Sequence, residues 1–206
     1  MIRRHVLAVA IAAMAAVVVA SNILVQYPVS GTFLGVPLGD VLTYGAFTYP
    51  IAFLVTDVVN RLFGPELARR VVFAGFAVAV VMSAILAAPR IALASGTAFL
   101  LAQLFDVSIF ERLRYRAWWQ APLTSSILAS ALDTAIFFTL AFAALIPFGR
   151  DGFAVEVVPL FGLDNALEAP RWVSWAIADY AVKLLISAFA LGPYRALTAR
   201  WLGART

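Results

Sequence analysis

There is no cysteine in this chain, and a single histidine, His5, near its start. The first absence rules out a disulfide framework, a thiol nucleophile and a thiolate metal site. The second leaves carboxylates alone to bind a metal, so neither a metal nor another cofactor is expected. It also removes the membrane histidine that a serine protease of the rhomboid type needs as a base. Charge is scarce: 13% of residues, against about a quarter in a soluble domain. The charges that exist are unevenly signed, giving a net +4. The basic residues sit at the ends of apolar runs, not in one patch, so no nucleic-acid partner is expected.

What is present instead is apolar. Hydrophobic residues make up 64% of 206, and the mean hydropathy is +0.95. Six runs are long enough to cross about 30 Å of hydrocarbon: residues 6–26, 41–62, 71–88, 91–110, 122–148 and 172–194. The chain therefore reads as an all-α integral membrane protein, a single six-helix transmembrane domain over residues 1–206. The lipid bilayer is its first partner. Arg3-Arg4 ahead of the first run have the outline of a signal peptide. That run stays apolar through Val25 and carries its own polar residues, so it is read as a retained span. With the N-terminus placed in the cytoplasm, the inner side holds Arg3, Arg4, Arg61, Arg69, Arg70, Arg112, Arg114, Arg116, Arg195, Arg200 and Arg205. The outer side holds only Arg90, Arg150 and Arg171. Both termini are expected to be cytoplasmic. Trp118, Trp119, Trp172 and Trp175 fall near the expected interfaces. Of the outer segments, residues 27–40 are apolar enough for a lid, and residues 149–170 hold most of the loop acids.

Polar groups inside the runs are expensive, roughly 2.5–3.5 kcal/mol for a charge at mid-membrane, so each calls for a partner or a wet cavity. Asp57, Asn60, Gln103 and Asp106 cluster towards the cytoplasmic ends of the second and fourth runs, both pairs at i, i+3. They are read as a gating or structural polar cluster, with ion pairing to Arg61, Arg69 or Arg112 the structural option. Asn22, Ser95, Asp133, Asp179 and Lys183 lie deeper or further out. Asp179 and Lys183 stand at i, i+4 in the favourable order for an intrahelical ion pair. Asp133 has no base near it in sequence and is expected to face a polar cavity. Asn22 serves equally well as a packing hydrogen bond. Pro50, inside an apolar run, should kink or open its helix near Phe47. Ala8, Ala12, Ala16 and Ala20 form a flat stripe, suited to close packing or to docking another membrane protein.

The string TYPIAFLVTDVVN at 48–60, followed by FGPELARR at 63–70, resembles the signature of the queuosine precursor transporter family, also called the VUT family. PRIALAS at 89–95, QLFDV at 103–107, FERLR at 110–114, WWQAP at 118–122, SALDTAIFF at 130–138 and DYAVK at 179–183 extend the resemblance over nearly the whole chain. Asn60 departs from it, where many members carry an acid. The resemblance implies inner-membrane import of queuosine precursors, 7-cyano-7-deazaguanine and also 7-aminomethyl-7-deazaguanine. Its substrate would be a small deazapurine, bound by Asn22, Phe47, Tyr49, Ser95, Asp133, Phe137, Asp179 and Lys183. A carboxylate suits the adjacent N–H and amino donors of a guanine-like edge, and aromatic rings suit its face. In helix number and in the small-residue face of its first helix, the chain also resembles the S-components of energy-coupling-factor transporters. The alternative is thus an S-component needing an energising partner, docked through Ala8, Ala12, Ala16 and Ala20, a face that would equally serve a homo-oligomer. An enzyme is not expected. The Gly39-Asp40 pair that resembles an intramembrane aspartyl protease motif lies outside the membrane, and six helices are too few for that fold.

Overall fold

The computed structural model describes residues 2–143, 151–164 and 166–203. The end of the fifth expected run, up to Phe148, and the outer Arg150 and terminal Arg205 lie outside them. The chain is mostly helical. Among the described residues five helices are long and apolar enough to cross a membrane: α1 (Ile2–Leu24), α4 (Pro65–Leu86), α5 (Pro89–Leu113), α6 (Gln120–Phe142) and α8 (Arg171–Gly203). That is one fewer than the six expected runs. Residues 41–62 form no single long helix but a one-turn α2 (Gly45–Thr48) and a 13-residue α3 (Ile51–Phe63). The break falls at Tyr49-Pro50. Pro50 has no N–H to donate, and the chain tightens there into bonds from Ala52 N to Tyr49 O and from Phe53 N to Pro50 O.

Local chemistry explains the other boundaries. Gly64, at φ 91°, ends α3 where a side chain would be strained. Pro65 and Pro89 each open a helix at a position whose N–H would be idle anyway. The last helix runs on past its expected end at Tyr194, through Gly192 and Pro193. Tyr194 holds it in place, fully buried edge-on against Phe110 and bonded to Arg61.

The long helices pack in sequence, α1 on α4, α4 on α5, α5 on α6 and α6 on α8, with α3 set among them. Met14, Val18, Val71, Val72 and Phe99 form the apolar core between α1, α4 and α5. The buried side of α1 is Ala10, Met14, Val18 and Ser21. The alanine stripe looks the other way, with Ala8, Ala12 and Ala16 exposed and Ala20 half-buried. Two-stranded hairpins follow α1, with β1 (Thr32–Phe33) against β2 (Val36–Pro37), and precede α8, with β3 (Val157–Pro159) against β4 (Glu168–Pro170). A one-turn α7 (Gly152–Val155), capped by Asp151, precedes the second. The expected lid is thus only half formed. Gly39, Asp40 and Val41 reach a cavity wall, but the hairpin tip at Phe33 and Leu34 stands away from it, exposed.

Candidate binding cavity

A cavity of about 670 Å³ opens at the end of the bundle away from Arg61, Arg69 and Arg70. Seven of the eight residues expected to bind substrate line it: Asn22, Tyr49, Ser95, Asp133, Phe137, Asp179 and Lys183. Phe47 does not. The one-turn α2 points it outward, exposed, while the break at Tyr49-Pro50 rotates Tyr49 inward.

One wall is charged. Lys183 Nζ, on α8, lies 2.7 Å from Asp133 Oδ2 of α6 and 2.5 Å from Asp179 Oδ2, one turn back on its own helix. Nζ also donates to Thr134 Oγ1 at 3.0 Å, and that hydroxyl donates to Asp179 Oδ2 at 2.8 Å. Tyr49 OH donates to Asp133 Oδ1 at 3.3 Å, and its ring faces the ammonium at 5.6 Å. Asp133 has no base near it in sequence but gains one in the fold. The base comes from a helix 50 residues further on. Two acids share one base, so the group carries a net charge of −1. Its oxygens are not equivalent. Both Asp133 oxygens have donors and its side chain is buried. Asp179 is the more open of the two, and among the described residues no donor reaches its Oδ1.

The opposite wall is neutral and polar. Asn22 Nδ2 donates to Val18 O at 2.9 Å, while its Oδ1 accepts from Ser83 at 3.2 Å. Ser83 lies 3.3 Å from Ser95. The packing role of Asn22 is thus real, and the bond chain fixes the amide at the cavity edge. Between the two walls stand rings. Phe137 meets Phe138 edge-on at 5.0 Å, and Phe142 meets Trp175 at 5.3 Å. Phe138, Phe142, Phe99 and Trp175 all line the cavity. Of these, Phe99, Phe142 and Trp175 are not among the residues the sequence marks for the site. Trp175, near the expected interface, also donates through Nε1 to Asp40 O at 2.8 Å and ties the first hairpin's end to α8.

The second polar cluster lies elsewhere, towards the arginine-rich end, and does not line this cavity. α3 and α5 run parallel there. Thr56 Oγ1 donates to Gln103 Oε1 at 2.7 Å, and one turn on Asn60 Nδ2 donates to Val107 O at 3.1 Å. Asp57 and Asp106 lie between those bonds, both buried. The ion pairing considered for this cluster is not made: among the described residues no arginine or lysine bridges Asp57 or Asp106. Arg61 turns instead to Tyr194 OH at 2.7 Å and to the carbonyls of Arg114 and Trp118.

The family model described as "Putative vitamin uptake transporter" matches residues 43–88 and 83–197. The chain is 35% identical over 192 residues to the "Queuosine precursor transporter" of Escherichia coli strain K12, covering 83% of this chain and 76% of that one. It is 30% identical over 204 residues to the "Probable queuosine precursor transporter" of Haemophilus influenzae, covering 86% and 79%. It is 25% identical over 184 residues to a Bacillus subtilis protein of the same name, covering 76% and 71%. No solved structure matches the chain.

Proposed function

We propose, from the premise that this chain belongs to the vitamin uptake transporter family and is a multi-pass membrane transporter rather than an enzyme, that it imports the 7-deazaguanine precursors of queuosine. The preferred substrate in this reading is 7-cyano-7-deazaguanine, carried across the inner membrane, and the arginine-rich end is cytoplasmic. The observation that carries it is the cavity wall with its net negative charge and one unengaged carboxylate oxygen. A guanine-like base is neutral and presents an N–H beside an amino group, which a carboxylate accepts together. Asp179 is the acceptor in this reading. Asp133, both of whose oxygens are taken, holds Lys183 and Tyr49 in place. The base stacks among Phe137, Phe138 and Phe142, and Asn22 with Ser95 meets its far edge.

The test is a host that lacks both precursor synthesis and its own transporter. Expression of this chain with the cyano base supplied is expected to restore queuosine in tRNA. A well-expressed chain that leaves tRNA unmodified sinks the reading. One observation favours the S-component alternative, the outward-facing Ala8, Ala12 and Ala16 on α1. Restored uptake in a host without an energising module excludes it.

A further inference from the structure

The pair Asp57–Asp106 has no part in the binding cavity, yet it is the least satisfied polar feature of the described chain. The two residues face each other across α3 and α5, bracketed by the Thr56–Gln103 and Asn60–Val107 bonds. Asp57 accepts from Ser125 at 3.5 Å and from Ser126 at 3.4 Å, both long bonds. Asp106 is wholly buried, and no ordinary donor meets the hydrogen-bond geometry at either of its oxygens. Burying an unpaired carboxylate is costly, and burying two face to face is costlier. A single shared proton resolves both problems. It turns one acid into the donor that the other lacks and leaves the pair with one negative charge.

The surroundings are those of a proton site. From α3, Thr56 and Asn60 flank the pair, and Arg61 lies one turn beyond Asp57. From α5 comes Gln103, and from α6 come Ser125 and Ser126. From α8, Tyr194 and Ser187 face Asp57 across a void of about 10 Å³, room for about one water. That void also touches Pro50, the neighbour of Tyr49. Asp57 is eight residues beyond Tyr49 on α3, about 12 Å of helical rise. The acids thus sit between the cavity and the arginine-rich end, and Tyr194 connects them to the Arg61 contacts that close that end.

We infer that Asp57 and Asp106 form a proton-carrying carboxyl pair through which import of the base is coupled to inward movement of one proton. This rests on the transport reading above. With the proton, the pair has charge −1 and Arg61 stays bonded to Tyr194, Arg114 and Trp118. Without it, the pair has charge −2, and Asp57 becomes a partner for Arg61 at i, i+4. Drawing Arg61 away would release the closed end as the proton leaves.

Two measurements on the purified full chain test this. Infrared spectra at neutral pH are expected to show the carbonyl stretch of a protonated carboxylic acid, lost in both Asp57→Asn and Asp106→Asn. Absence of that band in the wild type, or its survival in both variants, overturns the pair. In proteoliposomes loaded with buffer, an acid-outside pH gradient is expected to drive accumulation of radiolabelled 7-cyano-7-deazaguanine, and a sodium gradient is not. Asp106→Asn is expected to lose gradient-driven accumulation while still exchanging internal for external base, which also shows that it is folded. Accumulation by Asp106→Asn at the wild-type level, or accumulation driven by sodium alone, overturns proton coupling. A wild type that shows the band, loses it in both variants and yet moves no deazapurine keeps the proton site and sinks the substrate reading instead.

Discussion

Lys183 is the residue on which the cavity's electrostatics turn. It is buried, and among the described residues it alone neutralises the acids beside it. Lys183→Met keeps much of the stem but leaves two uncompensated carboxylates, so a loss of about 3–5 kcal/mol is expected, read as a lower melting temperature of the purified protein. Asp179→Asn should behave differently. The amide oxygen can keep the bonds from Lys183 and Thr134, and among the described residues no donor reaches Oδ1, so melting should change little, while the amide nitrogen opposes the donor edge of the base. Affinity for 7-cyano-7-deazaguanine is expected to fall by about 1.5–3 kcal/mol, one to two orders of magnitude by calorimetry. Unchanged affinity in folded Asp179→Asn would assign the acceptor role to Asp133 instead. These assignments were only half legible in the sequence. The cost of charge at depth marked Asp133, Asp179 and Lys183 as a site. Comparable depth also put Lys183 within reach of Asp133, but the direct contact comes from α6 packing on α8 and has no local signal.

Among the elements, α2 and α3 departed furthest from the reading. Pro50 announced a break, but nothing local showed that the segment before it would shrink to one turn and turn Phe47 out. The reason is a close approach. A Cβ on Gly45 would lie 2.9 Å from the Cα, N and Cβ of Val25, so α2 rests directly on the end of α1. Gly45→Ala must push the two apart, at an expected cost of about 1–3 kcal/mol, and Tyr49 would shift with α2. Melting and base affinity are both expected to fall, and an unaffected variant would show that the contact yields freely. The helix starts at Pro65 and Pro89 were legible because proline and glycine act within one or two residues. The end of α8 was not, because burial of Tyr194 outweighs the local message of Gly192 and Pro193.

The molecule as a whole has two polar centres, one open to the cavity and one sealed below it. The sequence separated them by depth, and the structure keeps them apart along α3. The arginine bias predicts the orientation. A reporter fused after Thr206 that works only in the periplasm is expected to be silent, and periplasmic activity would invert the assignment.

Arg61 and Arg114 are bound to each other's backbone: Arg61 Nη1 donates to Arg114 O at 2.5 Å, and Arg114 Nη2 to Arg61 O at 2.9 Å. Each guanidinium therefore sits on the negative end of the other's helix. Two of the arginines from whose bias the orientation is predicted are also structural fasteners in the folded chain. With the orientation as predicted, a sequence that loses the signal at these positions also unfastens α3 from α5. In that case biogenesis and folding draw on the same two side chains, and a single orientation in the membrane is expected in place of a mixed population.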